Sequence, residues 1–314
     1  MNMKWEKRGL IFEPDGTLSW ARSYALLPTV HQIDTNVMRI YFSTLDDQQT
    51  GRVGFVDVLA DNPGKIIRIS EKPVLDAGNY GLFDDSGVNP SCILEIDGEI
   101  YLYYIGWQRT RQVPYMLFSG LAVYNSNNGI FEKTGRVPLL DRSDKEPFSR
   151  SAPFVIPDDT GYIMWYWSCL EWKRNDSIQF NSNHVHYTNV INQMHSDNFD
   201  KWPDYGTRCI DLEKPDEYSH GRPWVIREKS GLFRMWYSTR MLNAPYRIGY
   251  AESSDGYSWS RKDDLAGIAP SGNDWDSTAV CYPCVYDCCG RRFMIYNGNS
   301  NGRTGFGFAE LVQD

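Results

Sequence analysis

The sequence contains no block of lysine or arginine residues, and its 314 residues carry a formal net charge of −8. A nucleic-acid backbone would need clustered positive charge, so nucleic acid is not a predicted partner. No apolar run approaches the length that spans a bilayer, so no membrane partner is predicted either. Residues 1–16 carry charges throughout and lack the apolar segment of a signal peptide.

The chain also lacks the periodicity of long amphipathic helices. Its seven cysteines are an odd number, and a chain of this size needs no disulfides. We therefore expect free thiols and a reducing, cytoplasmic location. What remains is a globular composition with 41% hydrophobic and 14% aromatic residues, which suits pleated strands and also sugar-binding surfaces.

Prolines recur along the whole chain at intervals of 60 to 70 residues: Pro28, Pro90, Pro153, Pro223 and Pro283. Each is followed by an aromatic-rich stretch whose last aromatic residue lies 13 or 14 positions beyond the proline. These stretches are 38–42, 100–104, 162–166, 233–237 and 293–296. A constant period with a constant internal offset is typical of a repeat architecture. Because the period runs from end to end, we predict a single domain over residues 1–314.

Each repeat predicts four short strands. A third strand with a Gly-aromatic-small pattern follows the aromatic strand, at 52–56, 119–123, 247–251 and 305–309, with a weaker form at 184–187. Turns such as Asp255-Gly256 lead to a shorter fourth strand. Four antiparallel strands repeated radially form a propeller blade, so we predict an all-β, five-bladed β-propeller. The fifth repeat is too short for a whole blade, and we expect Lys4–Phe12 to pair with the last blade and close the ring.

Polar residues that flank the prolines or follow the aromatic strands are expected to meet at the propeller axis. The candidates before the prolines are Asp84, Asp85, Arg150, His220, Arg222 and Asp276. The candidates after the aromatic strands are Trp107, Arg109, Glu171, Trp172, Arg240, Asn297 and Asn299. Carboxylates, arginines, amides and tryptophans around one cleft suit a carbohydrate ligand, and two carboxylates can share the work of glycoside cleavage. A neighbouring arginine would keep one carboxylate ionised while burial raises the pKa of the other.

Most of these candidates also have a structural interpretation. Asp84 and Asp85 precede Ser-Gly and could form a turn, Glu171 could be a solvated loop residue, and Asp276 could cap a strand entry. Arg150, His220 and Arg222 could form salt bridges and hydrogen bonds between blades, and Trp107 and Trp172 could be packing residues.

Two further clusters resemble metal ligands. The run 281–289 contains Cys281, Cys284, Cys288 and Cys289, but it overlays a predicted strand and turn and has no second ligand pair with zinc spacing. His184 and His186 share one strand face without a third ligand. We predict neither a metal site nor a cofactor.

The proline-led strands, the Met-Trp-Tyr stretches and the turn 253–259 together resemble the five-bladed propeller glycosidases. That superfamily holds arabinanases, invertases, levansucrases and mannoside phosphorylases. Segments 81–90 and 103–107 look like members found among polysaccharide-related proteins. The resemblance implies that Asp85 stands for the blade-two carboxylate and that Glu171 could supply one from blade three.

The sequence departs from the superfamily's hydrolases in two places. Residues 22–27 contain no carboxylate before Pro28, and Arg150 stands where an acid is expected. This favours relatives that handle phosphate with basic residues, a role that Arg150, His220, Arg222 and Arg240 could fill. The same residues would serve a nucleotide sugar or an acidic sugar.

We therefore predict an enzyme acting on glycosidic bonds, by hydrolysis or by transfer to phosphate or another acceptor. Asp85 is the preferred acid/base, with Glu171 and Asp276 as candidate partners, and the arginines and His220 anchor an anionic group. The alternative is a non-catalytic propeller that binds a glycan or a protein. The oligomeric state stays open.

Overall fold

The computed structural model describes residues 3–174 and 185–314, and it is an all-β structure. Within these residues, helix is limited to short turns at Asp263–Leu265, Asp274–Asp276 and Asn299–Gly302. The strands in chain order are β1 (Lys4–Phe12), β2 (Ser23–Asp34), β3 (Val37–Leu45), β4 (Gly51–Leu59), β5 (Asn62–Ile69), β6 (Gly87–Ile96), β7 (Glu99–Arg109), β8 (Tyr115–Asn125), β9 (Ile130–Lys133), β10 (Arg150–Asp158), β11 (Gly161–Arg174), β12 (Val185–Ser196), β13 (Thr207–Ile210), β14 (Glu217–Arg227), β15 (Phe233–Met241), β16 (Arg247–Ser253), β17 (Ser260–Arg261), β18 (Cys281–Cys288), β19 (Arg291–Asn297) and β20 (Phe306–Gln313). His184, which opens the weak third-strand pattern, lies outside the described residues.

The strands pair antiparallel in groups of four, one group for each repeat. Sheet one is β2 to β5, sheet two is β6 to β9, sheet three is β10 to β13 and sheet four is β14 to β17. Sheet five contains β18, β19 and β20, and β1 pairs with β20 as its fourth strand. The first strand of the chain therefore completes the last sheet. No helix among the described residues is both long and apolar enough to cross a membrane.

Each sheet contacts the next one, and the fifth contacts the first. Single parallel pairs join sheets one to four in order: Gly51 with Gly87, Phe118 with Arg150, and Asn189 with Ser219. Between sheets four and five, Trp224 Nε1 donates to the Val285 carbonyl at 2.6 Å. Between sheets five and one, the Asn297 side chain accepts from Leu27 N–H at 2.9 Å and donates to the Ala25 carbonyl at 2.6 Å.

The repeat prolines lie where the innermost strands lose their regular pairing. In β2, β6, β10, β14 and β18 the register to the neighbouring strand shifts at the proline, because proline has no N–H to donate to the ladder. In four of the five strands the residue before the proline has a positive φ: 56° at Leu27, 51° at Ala152, 55° at Arg222 and 54° at Tyr282. Such backbone strain often accompanies functional sites.

A tyrosine paired with a carboxylate recurs in four of the five repeats. The last aromatic residue of the aromatic strand is a tyrosine in four repeats, and its hydroxyl donates to a carboxylate. The pairs are Tyr104–Asp84 at 3.0 Å, Tyr166–Glu146 at 2.7 Å, Tyr237–Asp263 at 2.7 Å and Tyr296–Asp276 at 2.9 Å. A cation completes each group, namely Lys133, Arg150, Arg261 and Lys7 in that order. The first repeat has Phe42 at this position and so lacks the hydroxyl.

The third-strand glycines make room for these tyrosines. Gly120 lies opposite Tyr104 across the ladder, and a Cβ atom at Gly120 would stand 2.2 Å from the Tyr104 ring. Gly249 lies opposite Tyr237 in the same way, with a distance of 2.6 Å. In the third repeat Asn192 takes the place of glycine, and its amide donates to Glu146 at 2.8 Å. The Gly-aromatic-small pattern therefore lets a tyrosine ring cross the neighbouring strand.

Candidate functional site

A central cavity of about 280 Å³ is lined by residues from all five sheets. The residue before each repeat proline is part of its wall: Leu27, Asn89, Ala152, Arg222 and Tyr282. The proline repeat thus delivers one side chain from every sheet to a shared space.

The wall of the central cavity is mainly aromatic and aliphatic. Trp107 and Trp167 supply indole rings, and the hydroxyl-bearing Ser151, Ser219 and Ser238 come from three different strands. No aspartate or glutamate belongs to this wall among the described residues, and Arg222 is its one charged residue there.

Arg222 holds three sheets together at the cavity wall. It is 2% exposed. Its guanidinium donates to the Pro283 carbonyl at 3.2 Å, to the Pro28 carbonyl at 2.7 Å and to Thr29 Oγ1 at 2.8 Å. No carboxylate lies within 4 Å of it among the described residues, and burial lowers its pKa. The Arg222 guanidinium therefore already binds two backbone carbonyls and the Thr29 hydroxyl, and its Nε has no partner in the part of the chain that the structure describes.

A side cavity of about 270 Å³ adjoins the central one and shares Tyr115, Tyr187, Tyr246, Tyr282 and Asn301 with it. Its remaining wall includes Trp172, His186, Tyr218 and Arg240. The Arg240 guanidinium donates to the Tyr187 hydroxyl and lies 4.5 Å from the Tyr246 ring centre. Trp172 meets Tyr187 edge-to-face at 5.3 Å.

Four of the residues predicted from the sequence therefore lie at these cavities: Trp107, Trp172, Arg222 and Arg240. The other nine lie elsewhere.

Asp85 and Glu171 belong to neither cavity wall. The Asp85 carboxylate accepts from Gly81 N–H and from Ser86 Oγ, both at 2.9 Å, which are contacts of a turn. Glu171 pairs with Lys173 at 2.5 Å, and its side chain is 42% exposed. Catalysis by either residue stays a prediction.

Asp84 and Asp276 are members of the repeated tyrosine–carboxylate groups. Both are buried, and each is paired to a lysine, Lys133 at 2.6 Å and Lys7 at 2.5 Å. The same position in the third repeat is held by Glu146, which pairs with Arg150 at 3.4 Å. Arg150 also donates to the Asp141 and Asp204 carbonyls, both at 2.6 Å. These contacts are structural, although they are not the turn, the strand cap or the contacts between blades considered from the sequence, and a role of Asp84, Asp276 or Arg150 in the site stays a prediction.

His220 is fully buried away from both cavities. Its Nε2 lies 3.2 Å from the Asp211 carbonyl, and its ring meets Tyr237 edge-to-face at 5.3 Å. Burial and then the nearby Arg261 lower the pKa of His220 to about 4. The ring is therefore neutral at neutral pH and offers no positive charge to a ligand.

The remaining predicted residues bind the backbone. Asn297 joins sheets five and one, as described above. Asn299 Oδ1 accepts from Thr278 N–H at 2.8 Å and from Ala279 N–H at 3.1 Å. Exposed Arg109 donates to the Gln48 and Gln49 carbonyls at 3.2 and 2.5 Å.

Sequence reasoning missed most of the aromatic wall, notably Tyr115, Tyr187, Tyr218, Tyr246 and Tyr282. One of them could have been predicted. Every residue directly before a repeat proline lines the cavity, so the pattern that identified Arg222 also identifies Tyr282. The other tyrosines follow no constant offset in the repeat.

The metal-like clusters do not assemble a metal site in the described residues, where no three histidine, cysteine or acidic side chains are grouped to hold an ion. Cys281, Cys284 and Cys288 are buried in β18, and exposed Cys289 lies in the turn that follows. His186 borders the side cavity, and His184 lies outside the described residues.

No protein-family model matches the chain. It is 38% identical over 310 residues to Uncharacterized protein Rv1502 of Mycobacterium tuberculosis (strain ATCC 25618 / H37Rv), covering 98% of this chain and 99% of the relative. The chain belongs to the Rv1502 family. Uncharacterized protein MT1551 of M. tuberculosis strain CDC 1551 / Oshkosh, a second member of the Rv1502 family, has the same identity and coverage.

Solved structures of low sequence identity share the fold of this Rv1502-family chain. One described as a glycoside hydrolase has a TM-score of 0.73 at 17% identity, covering 99% of this chain and 91% of its own. One described as a BT0996 RGII complex has a TM-score of 0.74 at 16% identity, covering 100% and 92%. A structure from work on GH130 mannoside phosphorylases, a family that contains hydrolases targeting β-1,2 mannosidic linkages in Candida mannan, has a TM-score of 0.69 at 13% identity, covering 99% and 94%. The resemblance to the glycosidase superfamily is confirmed at the level of the fold.

Proposed function

We propose that the chain binds a carbohydrate in the central cavity. We also propose that its five sheets are the blades of one closed five-bladed propeller domain, with this cavity on the axis. The single observation that carries the proposal is the composition of the wall, which combines aromatic rings and serine hydroxyls from five separate sheets. The contacts between sheets five and one support the closed ring.

Aromatic faces and hydroxyls are the groups that recognise a sugar ring. A pyranose presents apolar C–H faces that pack on indole or phenol rings, and its hydroxyls exchange hydrogen bonds with short polar side chains. Trp107 and Trp167 offer the rings, and Ser151, Ser219 and Ser238 the hydroxyls. The volume of the cavity suits one or two sugar units rather than a long polymer.

The structural neighbours support a sugar ligand in general terms. One of them is described as a complex with RGII, and another belongs to work on mannosidic linkages. Their sequence identities to this chain, 16% and 13%, support a shared fold but do not identify the sugar that this chain binds.

Cleavage of a glycosidic bond is the second candidate, and it is favoured by the glycoside hydrolases and phosphorylases among these neighbours. Acid/base catalysis would need a carboxylate within reach of the bound sugar. Asp85, with Glu171 and Asp276 as partners, remains the proposed source, and phosphate remains a proposed acceptor. The lining as described supports binding more directly than cleavage, because it contains no carboxylate.

The test is a binding screen on immobilised mono- and oligosaccharides, followed by calorimetric titration of the best ligand. Trp107→Ala should weaken binding by about tenfold or more, since a well-packed aromatic contact contributes on the order of 1–3 kcal/mol. Trp202→Ala is the matched control, because Trp202 is also half-buried but binds the Phe199 carbonyl outside both cavities. Equal affinities of the two variants would contradict the proposed site.

A second variant tests the cavity without removing a contact. Ala152→Leu adds volume inside the wall at a residue that already has a positive φ, and it should block a sugar sterically. Cleavage is tested separately with Asp85→Asn: turnover should fall by orders of magnitude if Asp85 is the acid/base, whereas affinity should not change if the chain only binds.

A further inference from the structure

The side cavity contains a positive charge that has no partner of opposite charge in the described part of the chain. Arg240 lies near the end of β15, half-buried, with the rings of Tyr246, Tyr218 and Tyr187 at 4.5, 5.4 and 5.5 Å from its guanidinium carbon. Its guanidinium donates to the Tyr187 hydroxyl. No carboxylate lies within 4 Å of it among the described residues.

Half-buried arginines elsewhere in the chain have carboxylate or carbonyl partners, and the buried Arg222 binds the Pro28 and Pro283 carbonyls. Arg261 contacts Glu217 at 2.7 Å and Asp263 at 2.5 Å. Arg39 is bidentate to Asp57 at 2.7 and 3.0 Å. Removing a cation from water without an anion is costly, which explains this pairing. Among the described residues Arg240 has neither a carboxylate nor a carbonyl partner, only the Tyr187 hydroxyl, and it lies where a cavity could admit an anion.

The surrounding tyrosines do not neutralise the guanidinium. Burial raises the pKa of Tyr218 to about 12 and raises the pKa values of Tyr115, Tyr246 and Tyr282 above their ordinary value. These phenols therefore stay protonated at neutral pH, as neutral groups that can donate hydrogen bonds.

Two further polar atoms of the same wall have no hydrogen-bond partner within residues 3–174 and 185–314. Trp172 Nε1 and His186 Nδ1 are both buried and unsatisfied. Buried polar atoms without a partner are uncommon and call for an explanation, such as an absent ion or ligand. An indole N–H can only donate, so an acceptor oxygen is the group it lacks.

We propose that Arg240, Trp172 and His186 form a subsite for the anionic substituent, a carboxylate or a phosphate, of a carbohydrate bound in the central cavity. This rests on the proposed function for the sugar portion of the ligand. The two cavities share four tyrosines and Asn301 as walls, so one ligand could place its ring in the central cavity and its acidic group at Arg240. Arginine matches both carboxylate and phosphate oxygens in a bidentate geometry.

The experiment compares neutral, uronate-containing and phosphorylated glycans on one array, and it titrates inorganic phosphate and acetate separately by calorimetry. The wild-type chain should prefer acidic over neutral glycans by about tenfold or more, since a charge-assisted hydrogen bond contributes on the order of 1.5–3 kcal/mol. Arg240→Met should remove this preference while neutral glycans still bind, and Arg240→Lys should restore part of it.

The matched control is Arg227→Met. Arg227 also lies over an aromatic ring, Phe233 at 5.3 Å, but it pairs with Asp158 at 3.8 Å outside both cavities. Thermal unfolding of each variant checks that the fold is kept. The uronate and phosphate arms show which anion is preferred.

Failure of the subsite can be distinguished from failure of the carbohydrate proposal. Binding of neutral glycans without any acidic preference, or an acidic preference that survives in Arg240→Met, overturns the subsite and leaves the carbohydrate proposal intact. If no glycan binds, the carbohydrate proposal fails. The free-anion titration then decides the subsite, and anion binding that does not depend on Arg240 overturns it.

Discussion

His220 is expected to make the stability of the fold depend on pH. The buried ring has a pKa of about 4 in the folded chain, against 6.5 for an ordinary histidine. As the pH falls below 6.5, the unfolded chain binds a proton at this residue while the folded chain does not. The contribution of His220 to the free energy of unfolding is therefore fully present well above pH 6.5. It is lost as the pH falls from 6.5 towards 4, because protonation then favours the unfolded state.

The magnitude follows from the difference between the two pKa values. If only the unfolded state were protonated, the free energy of unfolding would fall by about 3 kcal/mol, at 1.36 kcal/mol for each pKa unit. Between pH 8 and pH 5 the free energy of unfolding falls by about 2 kcal/mol, because pH 5 lies more than halfway from the unfolded pKa to the folded pKa. This is a large part of the 5–15 kcal/mol by which domains are typically stable.

The assay is urea denaturation followed by tryptophan fluorescence at pH 8, 7, 6 and 5, on the wild type and on His220→Gln. Glutamine can still donate to the Asp211 carbonyl but does not titrate. The wild type should lose about 2 kcal/mol more than the variant between pH 8 and pH 5. Parallel pH dependences, within about 0.5 kcal/mol, would refute the buried neutral histidine and restore His220 as a candidate for binding an anion.

Three further changes test the repeated tyrosine–carboxylate groups by denaturant unfolding at neutral pH. Gly120→Ala should lower the unfolding free energy by about 1–3 kcal/mol, because its Cβ would overlap the Tyr104 ring, and an unchanged midpoint would contradict this packing. Glu146→Gln should cost about 3 kcal/mol, since the buried carboxylate accepts from Tyr166, Ser168 and Asn192. The exposed control Glu171→Gln should cost less than about 0.5 kcal/mol, and similar losses for the two would refute the structural role of Glu146. Tyr296→Phe should cost about 1 kcal/mol through its lost bond to Asp276, whereas a neutral change would show that water satisfies that carboxylate.

The candidate site was only partly predictable. Arg222 lies at the cavity because it directly precedes a repeat proline, and that position is constant in every sheet. Asp85, one residue after the buried Asp84, closes a turn instead, because hydrogen bonds to Gly81 and Ser86 are available locally. Offsets in the sequence identify which strand end a residue occupies. They do not identify which side of the sheet its side chain takes when the strand is shifted by a proline.

The sequence by itself determined the strands and their grouping. The prolines, the aromatic stretches and the third-strand glycines are local patterns that recur along the chain. Because side chains alternate along a pleated strand, each pattern predicts the same kind of strand wherever it recurs. Only the tertiary structure decided which polar residues share a cavity. Asp276 pairs with Lys7, and Arg240 of sheet four meets Tyr187 of sheet three, because packing brings together residues that are far apart along the chain.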